Sequence, residues 1–265
     1  MQDVIGDFWS EVRELHGLLE SCRDEAWEII TQFKDWTVND TILHLYSSDA
    51  LALASAVNPQ RYLLLRQEIS AKRQSLSMIE ETRARLPHLF GQRLLDAWVS
   101  QAAELRDALR KRDPKDRLEW VGPPMSVSMM AIARQMETWA HGQAICDILG
   151  IARDTQDRIR NIAEIGVRTF KWSFSNRGLT VPQAPRVELF GPSGQHWLWN
   201  EENGVAGEIS GSAIEFCWVV TQARNVADTA LIVRGETAEH WMQIAQCFAG
   251  PAVDPPLPGQ RFPLC

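Results

Sequence analysis

The sequence predicts an α+β protein: a helical bundle followed by a small α/β domain. Three observations carry this. Apolar residues recur at helical spacing over most of the first 175 residues. Of 13 prolines, five precede residue 150 and the other eight lie at or after Pro182, so the end of the chain is broken into short pieces. From Arg186 the apolar period shortens to that of a strand. The expected domains are residues 1–178 and 179–265, with the boundary near residues 176–185.

Each element follows from a local pattern. Ile5, Phe8, Trp9, Val12, Leu15, Leu18 and Leu19 mark a first helix over Val4–Cys22. Thr37-Val38-Asn39-Asp40 reads as an N-cap with an acid three residues on, opening a helix through Ile42, Leu43, Leu45 and Leu51 to Val57. A polar, basic helix is expected after Pro59, ending before Pro87. Another spans Phe90–Lys111. A helix from Ser126 stops at Gly150, a good residue just past a helix end, and one more covers Asp154–Ser175. Val187 and Leu189, the turn Gly191-Pro192-Ser193-Gly194, then Trp197 and Trp199 predict a β-hairpin. Ser212–Gln222 reads as a helix, Ala230–Arg234 as a strand and Thr237–Phe248 as a helix, with an extended Pro-rich tail from Pro251.

Composition narrows the function classes. The chain has 265 residues, 45% hydrophobic and 23% charged, as expected of a folded domain. A net charge of −7 argues against backbone-driven nucleic-acid binding. The basic run Arg106, Arg110, Lys111, Arg112, Lys115, Arg117 suits a helix C-terminus and a solvated face. The cysteines, Cys22, Cys146, Cys217, Cys247 and Cys265, are widely spaced and form no CxxC, so reduced thiols are expected. The acidic start does not read as a signal peptide, Cys265 is not placed as a prenylation box, and no apolar run approaches membrane length. A cytoplasmic protein without a membrane partner, a monomer or homodimer, is expected.

One constellation carries chemistry. Glu137 and His141 are four residues apart in a helical stretch, so a carboxylate and an imidazole share one face. Both are common ligands of divalent metals. His44, on the helix after Thr37, is the natural third. Two histidines and one carboxylate leave coordination positions open, as in catalytic rather than structural sites. Taken alone, an E-x-x-x-H pair is more often a simple hydrogen bond and His44 more often a core histidine. The pattern is neither the H-E-x-x-H of zinc proteases nor the Glu-x-x-His of di-iron bundles.

Two segments change that balance. Trp36-Thr37-Val38-Asn39-Asp40-Thr41-Ile42-Leu43-His44-Leu45 resembles the W-T-V-x-D-x-x-x-H-L element of the mycothiol-dependent maleylpyruvate isomerase N-terminal domain, in the DinB-like superfamily of metal-binding four-helix bundles. Met136-Glu137-Thr138-Trp139-Ala140-His141-Gly142-Gln143 resembles the second metal element of that family. The resemblance covers about residues 1–150 and implies an up-down four-helix bundle with His44, Glu137 and His141 as metal ligands. The segments Val167–Phe174, Phe216–Gln222 and Trp241–Gly250 are similar to an actinobacterial-type subgroup. The C-terminal part resembles the isomerase's small, sterol-carrier-like α/β module, in which an arginine assists substrate binding; Arg224 is the nearest match, though an arginine at such a position is more often a surface one.

The resemblance implies a divalent metal, most simply zinc, and a low-molecular-weight thiol co-substrate acting on a small electrophile, as in an isomerase or S-transferase. A thiol on such an ion loses its proton near neutral pH and becomes a nucleophile. Metal-assisted hydrolysis is a related use. Asp40 and Asp49 are candidate partners for the ligand histidines, although helix capping explains Asp40 equally well. Trp36 is expected as a contact at the start of its helix, and Trp139 to pack away from the Glu137/His141 face. His16, His88, His196 and His240 have no partner at ligand spacing. Two rivals remain: a non-catalytic metal-binding protein whose C-terminal domain takes an apolar or lipid-like ligand, and a metal-free scaffold.

Overall fold

A computed structural model describes residues 3–264, residues 203–205 by their backbone only. The chain divides into two compact units, Met1–Ile148 and Leu149–Cys265. The sequence places the boundary at 178/179 instead. The segment between carries two short helices whose apolar faces pack within the second unit, so the contact division falls earlier.

The first unit is built on four long helices. Asp3 caps α1 (Val4–Leu19), its carboxylate accepting from Gly6 N at 2.8 Å. A short 3₁₀ turn (Asp24–Glu28) and a tight hairpin, closed by the Ile30–Thr37 bridge, lead into α2 (Val38–Val57). The cap foreseen at Thr37 is present in both directions: Asp40 N donates to Thr37 Oγ1 at 3.0 Å and Thr37 N to Asp40 Oδ2 at 2.9 Å. After α2 the expected single helix is two, α3 (Pro59–Lys72) and α4 (Met78–Arg85). The break has a local cause: Ser77 and Glu80 form a second capping box, which starts a new helix.

Next come α5 (Gly91–Arg110), the antiparallel β1 (Arg117–Leu118) and β2 (Met125–Ser126), and α6 (Val127–Leu149). Helix α6 stops where Gly150 takes φ +64°. Phe8, Val12 and Leu19 of α1 and Leu94, Trp98, Leu105 and Leu109 of α5 are fully buried, each contributing on the order of 1.5–3 kcal/mol of apolar burial. Helix α6 differs from the others. None of its residues before Gly150 is exposed, only one stripe is half-buried, and it takes Arg134, Gln135, Thr138 and His141 into the interior, where each polar group needs a partner.

The second unit opens with α7 (Arg160–Arg168) and α8 (Phe170–Ser175), not the single helix expected. The chain breaks at Thr169, whose hydroxyl donates to Ile165 O (2.7 Å) and Gly166 O (2.9 Å). The predicted hairpin is present as β3 (Arg186–Phe190) and β4 (His196–Trp199). A strand the sequence did not suggest, β5 (Glu208–Ser212), runs parallel to β3; its only large apolar residue is Ile209, so no alternation marks it. Helix α9 (Ala213–Val220), strand β6 (Ile232–Arg234) and helix α10 (Glu236–Ile244) complete the unit, with sheet order β4-β3-β5-β6.

Val187, Leu189, Ile209, Phe216 and Trp241 form the core of this unit. At Gly166 a Cβ would lie 2.8 Å from Val220, so glycine lets α7 approach α9. The Pro-rich tail is tied down: Gln246 Nε2 donates to Pro251 O at 3.1 Å and Arg261 Nη1 to Gln222 O at 2.6 Å. Cys265 lies outside the described residues. Among those described, no helix is long and apolar enough to cross a membrane.

Candidate metal centre

Helices α2 and α6 bring His44, Glu137 and His141 together. Glu137 Oε2 lies 3.2 Å from His44 Nε2 and 3.3 Å from His141 Nε2. The three ligand atoms all fall within 4.8 Å of one another. Nitrogen and oxygen ligands about 2.0–2.1 Å from a tetrahedral zinc are separated by roughly 3.3–3.4 Å, so two edges of the triangle already have the right length. The donor set, two imidazole nitrogens and a carboxylate oxygen, suits zinc or another borderline divalent ion. The residues present therefore fit a divalent metal.

Electrostatics favours the ligand-ready protonation state. Burial pushes His44 down to about 4, and the Glu137 carboxylate offsets this only in part. Burial works to raise Glu137, but hydrogen bonds from His141 and His44 win and hold it well below the usual carboxylate range. A neutral imidazole beside a carboxylate is what metal binding requires near pH 7. The site is not sealed: side-chain exposure is 23% for Glu137 and 13% for His44, against 8% for His141.

Aromatic rings wall one side. The Trp36 indole stacks on His141 with centroids 6.0 Å apart and planes 14° apart, and lies 5.3 Å from His44. Phe33 meets His141 edge-on at 4.9 Å. Both rings come from the hairpin that precedes α2. Its turn is tight because Lys34 (φ 54°) and Asp35 (φ 56°) both adopt the left-handed conformation, unusual for residues with a Cβ. The Lys34 ammonium lies 5.2 Å from the Phe33 centroid and 5.9 Å from that of Trp36. Trp36 is thus a wall of the site rather than only a contact at the helix start. Trp139 is fully buried in the core.

Asp40 and Asp49 have other occupations. Asp40 accepts from Thr37 N and from both Nε (2.7 Å) and Nη2 of Arg83, and none of its hydrogen bonds goes to His44. Burial would raise its carboxyl, but Arg83 and Thr37 hold it below the ordinary value. The capping explanation is the one the geometry supports. Asp49, fully buried, accepts from Arg134 Nε at 2.7 Å and from Trp98 Nε1 at 2.9 Å. Burial raises its carboxyl, against the pull of Arg134. Arg224 lies in the second unit just after α9. It is buried rather than on the surface, its Nη1 donating to Ala223 O at 2.9 Å and its guanidinium 5.2 Å from the Trp218 ring.

Residues 8–146, just over half the chain, match the family described as the mycothiol maleylpyruvate isomerase N-terminal domain. The chain belongs to this family. Similar proteins include two uncharacterized proteins of Mycobacterium tuberculosis, strains CDC 1551 / Oshkosh and ATCC 25618 / H37Rv. Each is 35% identical over 248 residues, covering 93% of this chain and 95% of the relative. The crystal structure of the mycothiol-dependent maleylpyruvate isomerase matches with a TM-score of 0.56 at 13% identity, over 87% of this chain and 91% of that one. A histidine-to-alanine mutant of that enzyme matches at 0.52 and 14% identity, over 82% and 87%. At such identity the likeness is one of fold, and it supports the α+β class.

Within the isomerase-like bundle, three contributors were not foreseen. Arg134 sits one turn before Glu137 on the same face, a spacing that marks it in retrospect. Phe33 and the left-handed pair at Lys34 and Asp35 left no pattern, because nothing in their composition asks for a positive φ. An open cleft of about 610 Å³ further along α2, lined by Leu53, Val57, Arg61, Gln101 and Lys111 among others, includes none of the three candidate ligands.

Proposed function

We propose that this protein is a metal-dependent enzyme that uses a low-molecular-weight thiol to isomerise a small electrophile, or adds that thiol to it as an S-transferase. The observation that carries the reading is the convergence of His44, Glu137 and His141 at hydrogen-bond distances on two helices of an isomerase-family bundle. His44 Nε2, His141 Nε2 and Glu137 Oε2 would hold the ion. A divalent metal there supplies Lewis acidity, which lowers the pKa of a thiol and makes it nucleophilic near neutral pH.

The chain's own groups do the rest. Three protein ligands leave room for an exogenous one. The partial exposure of Glu137 and His44 gives that ligand a path from solvent. Trp36 and Phe33 pack on the imidazoles, fix their ring planes and keep water from that side. Addition of a thiol to an activated cis double bond turns it into a single bond; rotation and loss of the same thiol return the trans isomer, with no net consumption of thiol.

The test is an assay of the zinc-loaded protein with mycothiol and maleylpyruvate, the pair named for the solved relative, and with simpler α,β-unsaturated carbonyl compounds. Turnover that requires both thiol and metal supports the reading. A zinc-loaded chain that gives neither isomerisation nor thiol adduct with any of them overturns it.

A further inference from the structure

We propose that the buried Asp49–Arg134 pair is a positioning device for the metal ligands, fixing the register of α2 against α6. The inference rests on the metal reading above and deepens it. The pair joins the same two helices as the triad. Asp49 lies five residues after His44, and Arg134 three residues before Glu137. Moving forward along α2 therefore moves backward along α6, so the two sets of contacts belong to one antiparallel register. At about 1.5 Å of rise per residue, the aspartate stands some 7.5 Å beyond His44 along its helix and the long arginine bridges the gap. Trp98 Nε1 of α5 holds the second carboxylate oxygen at 2.9 Å, so a third helix braces the same point.

Stability alone does not account for this arrangement. Both side chains are almost fully buried, at 2% and 0% exposure. Buried pairs of this kind are commonly replaced by apolar residues at no cost to the fold. Arg134 Nη2 is buried with no hydrogen-bond partner among the described residues, which makes the pair more costly still. What the pair provides is discrimination. Sliding α2 by one turn would strand a carboxylate and a guanidinium unpaired in the interior, and would carry His44 about 5.4 Å away from Glu137. Apolar side chains at 49 and 134 impose no such penalty.

The experiment compares the full-length wild type with the double variant Asp49→Leu/Arg134→Met and with Asp49→Asn, which keeps the shape of the aspartate if the double variant fails to fold. Cobalt(II) and zinc dissociation constants are measured by chelator competition, beside the visible cobalt spectrum and the thermal midpoint of the metal-free chain. The expected result is a double variant that still folds, with a midpoint lowered only by the acceptor Trp98 Nε1 loses, and that binds either metal 10–100-fold more weakly, the range seen when groups supporting a metal ligand are removed. Its tetrahedral cobalt bands should weaken as well. Asp49→Asn should shift affinity in the same direction. A variant with wild-type affinity and spectrum overturns the positioning role and leaves the metal site standing. A wild type that takes up no metal overturns both.

Discussion

The turn Phe33-Lys34-Asp35-Trp36 offers a sharp test of how the site is walled. Two consecutive side-chain-bearing residues sit at φ 54° and 56°. Each L-residue held there costs about 1–2 kcal/mol, so the pair stores roughly 2–4 kcal/mol. Lys34→Asn with Asp35→Gly installs the dipeptide this turn geometry prefers. Against the relief stand the greater freedom of glycine in the unfolded chain, about 0.5–1 kcal/mol, and loss of the Lys34 contacts with the two rings, about 0.5–1 kcal/mol at an exposed position. The net gain is therefore about 0–3 kcal/mol, centred near 1.5 kcal/mol, or a central rise of roughly 3–6 °C in the midpoint of a unit this size. Thermal melts followed by circular dichroism measure it directly. Phe33 and Trp36 keep their places, so metal affinity should change by less than about threefold, equivalent to ~0.7 kcal/mol. A lower midpoint would refute the idea that this turn stores strain beside the ligands.

Three further outcomes follow from the structure. His44 is held at about 4 in the folded chain against 6.5 when free, so only the unfolded chain takes up its proton between those values. Stability of the metal-free protein should then fall as pH drops from 6.5 to 4, by up to about 3 kcal/mol from this group. A flat denaturation profile across that window would contradict its burial as a neutral imidazole. Thr37→Ala removes one arm of the α2 cap and should cost about 1 kcal/mol in urea denaturation. Gly166→Ala forces a Cβ to 2.8 Å from Val220 and 3.1 Å from Phe216, and should cost about 1–3 kcal/mol in the second unit, seen as a lowered thermal midpoint.

What was legible in the sequence had a local cause. The Thr37–Asp40 cap, the E-x-x-x-H spacing and the Trp197/Trp199 alternation each act within a few residues, and each reappears where expected. What was not legible needed a partner distant in the chain. Strand β5 exists because β3 and β6 flank it, not because of its own residues. Asp49 drew notice only by its nearness to His44; its actual partners, Trp98 and Arg134, lie 49 and 85 residues away. Trp36 was placed at the start of α2 correctly, yet its stacking on His141 depends on α6 crossing α2 at that level. The early division between the units was hidden for the same reason, since α7 is helical like the bundle but packs on α9.

The most direct measurement of the central claim is the metal content of the purified, tag-free protein, wild type beside His141→Ala. Close to one divalent ion, zinc first among them, is expected per wild-type chain, and loss of that ion from a variant that still folds. A wild type that stays metal-free after incubation with zinc, or a His141→Ala variant that retains a full equivalent, would contradict it.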